Sequence, residues 1–123
     1  MKTPVLLLLL LGVFLNALAQ LGLKSATATS GAITLERSSL IAAAGTLLST
    51  PVFWAALAAY GLSVIVWVIG LSRVPVSQAY PLLSLGYVLT ALGAWAMLGE
   101  TLSMQRIAGI AVIIVGVFLV SRS

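Results

Sequence analysis

The sequence predicts an all-α integral membrane protein, a four-transmembrane-helix bundle, from its composition and from the spacing of its charges. Of its 123 residues 62% are hydrophobic and 7% are charged, and the mean hydropathy is +1.24. Soluble domains carry charge on about a quarter of their residues. A water-soluble fold of this length cannot hide so much apolar surface, so the solvent of the folded chain is a bilayer.

The charges are few and isolated, and they exclude several classes of function. Six Lys or Arg residues stand against two acidic residues, for a formal net charge of +4. The cations occur singly between apolar runs, whereas a surface that binds nucleic acid needs a basic patch. The chain has no Cys and no His, which excludes disulfides, the usual zinc sites and imidazole chemistry. We therefore expect no hydrolytic enzyme, no cofactor, no metal site and no nucleic-acid partner.

The first predicted span covers residues 3–24. It is uncharged up to Lys24 and matches the length of about 20 residues that crosses the hydrocarbon core. Pro4 suits its first turn. The same end also fits a secretory signal peptide, because Lys2 precedes the run VLLLLLLGVFL and residues 17–19, ALA, resemble a cleavage site. We treat the segment as a membrane span.

Residues 25–50 are predicted to form a loop and a short helix at the membrane surface. Residues 25–35, SATATSGAITL, are small and polar, as in loops. Residues 38–50, SSLIAAAGTLLST, favour a short interfacial helix. Thr50 ends this segment, because the residue before a proline is disfavoured in a helix.

Three further spans complete the predicted bundle, at residues 51–71, 74–98 and 102–121. Arg73 marks the turn that precedes the third span, and Gly99-Glu100-Thr101 marks the turn that follows it. Four spans place both termini on the same side of the membrane. Three cations then lie at each side, so the positive-inside rule leaves the orientation open, and insertion in both orientations stays open with it.

Polar or aromatic side chains recur at helical spacing in three of the four predicted spans, so each of these spans carries one polar stripe. The stripes are Gly12, Asn16, Gln20 and Lys24 in the first span, Tyr60, Ser63, Trp67 and Gly70 in the second, and Ser77, Tyr80, Ser84 and Tyr87 in the third. Amides and hydroxyls face lipid only at a high free-energy cost. The stripes should therefore turn towards protein or a hydrated cavity.

Two interpretations of the stripes are open. Hydrogen bonds between helices hold membrane bundles together, at roughly 0.6 kcal/mol each on average. Alternatively, the stripes line one shared substrate-binding groove, because polar groups inside a membrane commonly mark a pathway. The predicted groove residues are Asn16, Gln20, Lys24, Tyr60, Ser63, Trp67, Tyr80, Ser84 and Tyr87.

Proline and glycine positions predict a kink and an interface. Pro81 lacks the N–H that would bond to the carbonyl four residues earlier, so it should kink the third span, and Gly86 should let that kink flex. A static bend is the alternative. In the fourth span, Gly109 and Gly116 lie seven residues apart on one face, a spacing that lets two backbones approach. A 12.7 kDa bundle encloses little volume, so a transport path would need a second copy or a partner.

These features resemble the small multidrug resistance family of the drug/metabolite transporter superfamily. The resemblance rests on the four spans, a Lys that ends the first, the VPVSQAYPLLS entry to the third and the GIAVIIVGV run of the fourth. It implies a dimer that forms through Gly109 and Gly116, with Tyr60 and Tyr80 in the substrate site. The drug exporters of that family carry a glutamate in the first span, on which protons and cationic drugs compete, where this chain has Asn16. A neutral amide cannot exchange a proton, so their mechanism is not carried over.

Within the superfamily, the chain is more similar to the subunits of the aminoarabinose–undecaprenyl-phosphate flippase. Gln20, Lys24, the long first connection, the entry from Pro75 to Ser84 and Gly99-Glu100 match that branch. The resemblance implies a flippase subunit without enzymatic activity, in the bacterial inner membrane, that moves a lipid-linked sugar or polyprenyl phosphate and forms a homodimer or a heterodimer with a related chain. Lys24 would attract the phosphate or, alternatively, anchor the span at the interface. An exporter of small cations or metabolites and a non-transporting membrane subunit are the alternative functions.

Overall fold

The computed structural model describes residues 2–123, apart from the side chain of Thr29. The helices are α1 (Thr3–Ser30), α2 (Arg37–Leu48), α3 (Pro51–Leu71), α4 (Val76–Ala79), α5 (Leu83–Met97) and α6 (Met104–Arg122), and a 3-10 turn, Tyr80–Leu82, joins α4 to α5. Four helical stretches are long and apolar enough to span a membrane, namely Thr3–Ala28, Pro51–Leu71, Val76–Met97 and Met104–Arg122. For the described residues, the prediction of an all-α chain with four spanning helices is confirmed.

Helix α1 is longer than its composition suggests. Residues 25–30, which were predicted to begin a loop, continue the helix to its C-cap at Gly31. The small polar side chains of this segment bond to the helix itself, since the Thr27 hydroxyl donates to the Lys24 carbonyl at 2.7 Å. Gly31 ends the helix with a φ of 70° and donates its N–H to the Thr27 carbonyl at 2.8 Å. A long apolar helix thus propagates into a polar segment that holds no Gly or Pro before residue 31.

Helix α2 is a separate helix of twelve residues, Arg37–Leu48, between the first two spanning helices. Most of its side chains are exposed, and Ala43 is buried. The Trp54 indole N–H donates to the Leu48 carbonyl at 2.8 Å, which ties the end of α2 to the first turn of α3. The predicted position of this helix at the membrane surface stays a prediction.

The third spanning helix, Val76–Met97, leaves α-helical geometry at Tyr80–Leu82. Pro81 lies inside that 3-10 turn, where its missing N–H removes one bond of the α-helical ladder. Gly86 lies beside α1, where a Cβ would make an ordinary van der Waals contact, 3.4 Å from Cγ1 of Val13. The sequence predicted a flexible element at this glycine, and the structure places it against a neighbouring helix.

Helix α1 lies at the centre of the bundle, in contact with α2, α3 and α5, while α6 packs against α4, the 3-10 turn and α5. The core brings together side chains from α1, α4, the turn and α6. Its buried members are Val5, Leu9, Val13, Ala79, Leu82 and Val117. The polar crevices described below lie along the flanks of this central helix.

Helices α1 and α3 approach each other closely because buried small residues recur every seven positions on their facing sides. The repeat is Gly12, Ala19 and Ala26 on α1, and Ala56, Ser63 and Gly70 on α3. A Cβ on Gly22 would lie 2.9 Å from the Ala56 Cβ, and a Cβ on Gly70 would clash with Leu9 Cδ2. These contacts run in opposite order along the two helices, so the pair is antiparallel. Small residues let two membrane helices pack backbone against backbone.

Helix α6 leaves one face largely exposed in the described part of the chain. Ile110 and Val117 are buried, whereas Val112 is 70% exposed and Leu119 is 63% exposed. Gly109 and Gly116 lie on the exposed surface, and a Cβ built on either would meet nothing within 4 Å. Neither glycine therefore packs closely against another helix in the described part of the chain, and their place in a dimer interface stays a prediction.

We predict that Gly22→Ala weakens the α1–α3 contact. The new methyl would meet the Ala56 Cβ, which has no rotamer by which to move away, so the helices must separate at a cost of about 1–3 kcal/mol. Unfolding in a denaturing detergent, followed by circular dichroism, measures this loss. Gly61→Ala on α3 is the control, because nothing lies within 4 Å of its Cβ position and helix propensity favours Ala by up to about 1 kcal/mol. Equal stability of the two variants would contradict the close-packing account.

Candidate functional site

A neutral crevice lies between α1, α3 and the third spanning helix. Its volume is about 190 Å³, and it is lined by Gly12, Asn16, Tyr60, Ser63, Val64, Trp67, Tyr80 and Leu83. Gly12 brings α1 close to α3, since a Cβ there would lie 3.5 Å from the Ser63 carbonyl oxygen and 3.5 Å from the Trp67 backbone nitrogen. Asn16, one helical turn later, is half-buried at the edge of the same contact. None of these lining residues carries a charge.

The polar groups of the neutral crevice differ in what they offer to a bound molecule. Tyr60 is 41% exposed and Tyr80 is 51% exposed, so both phenols are accessible. Ser63 is 2% exposed, and its hydroxyl donates to the Tyr60 carbonyl at 2.6 Å within α3. That donor is already used, so Ser63 serves the crevice mainly as a small residue at the α1–α3 contact. Amide and phenol groups are left as the hydrogen-bonding surface.

An aromatic pair forms one wall of the neutral crevice. The rings of Trp67 and Tyr80 meet edge to face, with centroids 6.1 Å apart and an interplanar angle of 86°. Trp67 also packs against the hydrophobic core. Tyr80 lies in the 3-10 turn, so the irregular segment of the third spanning helix is the one that presents this ring. Such edge-to-face pairs hold both rings in a defined orientation.

A second crevice, here called the charged crevice, lies between α1, α5 and the start of α6. Its volume is about 420 Å³, and it is lined by Gln20, Leu21, Lys24, Tyr87, Thr90, Ala91, Ala94, Leu98, Glu100, Leu102 and Arg106. A wider cavity of about 730 Å³ adjoins it and shares the residues Lys24, Leu98 and Glu100. The Thr90 hydroxyl donates to the Gly86 carbonyl at 2.7 Å, so it faces the crevice as an acceptor.

The single groove expected from the three stripes is thus divided into two. Asn16 lines the neutral crevice, while Gln20 and Lys24 line the charged one. The reason is geometric: residues four apart on an α-helix are offset by about 40°, so a long stripe turns away from its first neighbour. Tyr87 lies in the charged crevice because it is two helical turns beyond Tyr80 along the third spanning helix, and Ser84 is half-buried and lines neither.

Two lining residues of the charged crevice, Glu100 and Arg106, were absent from the predicted groove. The sequence shows Glu100 in a turn and Arg106 near the start of a span, where each has an ordinary role as a surface charge. A count of alternating spans already places both at the same end of the bundle as Lys24. The sequence could therefore place the three residues at one end of the bundle, but it could not show that they line the same cavity.

The chain is similar in sequence to known transporter proteins. The EamA-like transporter family matches residues 45–122. The chain belongs to this family. A probable 4-amino-4-deoxy-L-arabinose-phosphoundecaprenol flippase subunit ArnE of Pseudomonas aeruginosa (strain UCBPP-PA14) is 40% identical over 93 residues, which cover 74% of this chain and 81% of that protein. The corresponding probable subunit ArnF of Shewanella sediminis (strain HAW-EB3) is 40% identical over 126 residues, covering 94% and 86%.

The resemblance to flippase subunits that the motifs indicated is confirmed by these relatives. No solved structure matches the chain. The family and the four apolar helices make the chain a multi-pass membrane protein. The relatives include both ArnE and ArnF subunits, at the same 40% identity.

We predict that the neutral crevice is hydrated. A cysteine placed at Asn16 should react with a water-soluble maleimide faster than one placed at Phe14, because the reaction needs a thiolate in contact with water. Phe14 is 48% exposed on the outside of the same helix, where the membrane would surround it. The native chain has no Cys, so each variant carries one thiol. Equal labelling of the two variants in membranes would show that the crevice is dry.

Proposed function

We propose that this protein is one subunit of a flippase that moves a lipid-linked sugar, of the 4-amino-4-deoxy-L-arabinose-phosphoundecaprenol class, across the bacterial inner membrane. It acts without covalent chemistry on the lipid. The observation that carries the proposal is the neutral crevice, in which Asn16, Tyr60 and Tyr80 from three spanning helices face one cavity. The names of the relatives supply the class of substrate.

A neutral polar surface suits the passage of a sugar through a membrane. Each hydroxyl of the sugar can exchange its bonds with water for bonds to an amide or a phenol, at a net gain of only about 0.5–1.5 kcal/mol per bond. Such contacts stabilise the head group during passage and still release it. The spanning helices contain no Asp or Glu, so no fixed negative charge has to be neutralised or protonated along the way.

The polyprenyl tail needs a side opening to the lipid rather than a closed channel. The neutral crevice is partly lined by the apolar side chains of Val64 and Leu83, beside which the tail can stay in the hydrocarbon. Lys24, at the end of the bundle, supplies a positive charge that attracts the phosphate. The head group then moves along α1 while the tail remains outside the helices.

A second chain completes the path in this proposal. The neutral crevice of about 190 Å³ is smaller than the 300–1,000 Å³, roughly, of ligand pockets in general. The uncovered face of α6, with Gly109 and Gly116, supports pairing with a related four-helix chain or with a second copy. Because the relatives are of two subunit types, we propose the heterodimer as the working state.

We predict that Tyr60→Ala lowers translocation about two- to tenfold, the effect of one lost hydrogen bond. Leu62→Ala is the matched control, because Leu62 is similarly exposed on α3 but does not line the crevice. The measurement is the rate at which a labelled lipid-linked amino sugar crosses the bilayer of proteoliposomes that hold the chain and its partner. A wild-type rate in Tyr60→Ala, with normal insertion, would contradict the role of the crevice.

We predict that Gly116→Leu shifts the protein from dimer to monomer. A Cβ there meets nothing within 4 Å in the described part of the chain, so the fold should persist in Gly116→Leu while the close approach of a second α6 is blocked. Chemical crosslinking in membranes measures the shift, and Gly61→Leu on α3 serves as the control, since its Cβ position is also empty to 4 Å. An unchanged crosslinking pattern in Gly116→Leu would remove α6 from the proposed interface.

The aromatic wall favours a second candidate, an exporter of small organic cations. The rings of Tyr60, Trp67 and Tyr80 line one cavity, and aromatic faces attract cations. Transport of a quaternary ammonium dye by the purified chain, inhibited by substitution of Trp67, would favour this candidate over the flippase. Proton release on addition of the dye is not expected, because the spans hold no acid.

A further inference from the structure

We infer that the charged crevice recognises the head group of the lipid as a pair of opposite charges, with Lys24 and Arg106 on the phosphate and Glu100 on the amino group of the sugar. This inference rests on the proposed function and deepens it. It assigns substrate selection to one end of the bundle and leaves passage to the neutral crevice.

The first argument is the set of charges that the fold assembles. Lys24 comes from α1, Glu100 from the turn after α5 and Arg106 from the first turn of α6, yet all three line one cavity. All three side chains are exposed, so their charged ends can reach a molecule in that cavity. The neutral crevice, by contrast, has no charged residue in its lining. Of these two crevices, only the charged one can offer charged side chains to the head group.

The second argument is that the backbone holds each of the three residues in place. Lys24 lies inside α1, six residues before its last residue Ser30, and not at a frayed end. The Glu100 N–H donates to the Ala94 carbonyl at 3.2 Å, directly after the Gly99 turn with its φ of 72°. The Arg106 N–H donates to the Ser103 hydroxyl, the N-cap of α6, at 3.2 Å. The backbone therefore holds the Cα positions of all three charged residues in place.

The third argument is chemical complementarity. The head group named for the relatives carries one phosphate and one amino group on the same small sugar, so it presents an anion and a cation a few bonds apart. Ammonium and guanidinium groups bind phosphate oxygens, and a carboxylate accepts hydrogen bonds from an ammonium group. Gln20 and Tyr87 line the same crevice and can bond to the sugar hydroxyls. The crevice volume of about 420 Å³ is in the range of ligand pockets.

The test measures binding of three lipids to the purified protein and its partner in nanodiscs of neutral phosphatidylcholine. The lipids are 4-amino-4-deoxy-L-arabinose-phosphoundecaprenol, the same lipid with its amine acetylated, and undecaprenyl phosphate. The wild type should bind the free-amine lipid about tenfold more tightly than the acetylated one, because acetylation removes the charge-assisted hydrogen bond to Glu100.

Two variants and two controls distinguish the role of Glu100 from that of Arg106. Glu100→Gln should bind the free-amine and acetylated lipids alike, and its affinity for undecaprenyl phosphate should not fall. Arg106→Gln should bind all three lipids more weakly, with the preference for the amine retained. Glu36→Gln and Arg37→Gln make the same chemical changes at exposed positions outside the crevice and should bind as the wild type does.

The outcomes distinguish this inference from the proposed function. If the wild type does not prefer the free amine, or if Glu100→Gln weakens both sugar lipids equally, the assignment of Glu100 is overturned while lipid binding stands. If Arg106→Gln binds all three lipids like the wild type, the phosphate assignment of that residue is overturned. If the wild type binds none of the three lipids, both the inference and the proposed function fail.

Discussion

The close packing of α1 against α3 is the contact on which the rest of the structure depends. Gly12 and Gly22 on α1, with Ala56, Ser63 and Gly70 on α3, remove the side-chain bulk that would keep the backbones apart. Without that approach, the amide and phenols of the neutral crevice would be too far apart to face one cavity. In a membrane, where lipid is as apolar as the helix surfaces, such packing replaces the hydrophobic effect as the force between helices.

The division between a neutral and a charged crevice follows from the energetics of the bilayer. A charge at the middle of a span costs several kcal/mol, whereas a charge at its end reaches water or the head groups. Lys24, Glu100 and Arg106 accordingly lie at one end of the bundle, and uncharged polar groups serve the middle. In the proposed flippase, charge is therefore discriminated at that end of the bundle, and the head group passes along the middle, where a charged residue would cost several kcal/mol.

The helix boundaries show where local reasoning succeeds and where it does not. Hydropathy located the four spans, because each must bury about 20 apolar residues in the membrane. The small polar composition of residues 25–30 predicted a loop, but these residues continue α1, because a nucleated helix extends through small polar residues whose hydroxyls bond to their own backbone. The flexibility predicted for Gly86 stays a prediction, and the fold places this glycine beside Val13 of α1. Neighbours in space decided what these residues do.

By itself the sequence determined the membrane class, the number of spans and the uncharged character of their interior, since these depend on composition and on spacing along the chain. Only the tertiary structure decided which polar residues meet. Asn16 joins Tyr60 and Tyr80, whereas Gln20 and Lys24 join Tyr87, Glu100 and Arg106. The physical reason is that a stripe of residues four apart turns by about 40° at each step, so its neighbours change along the helix. Which helix it meets is set by the packing of small residues between α1 and α3.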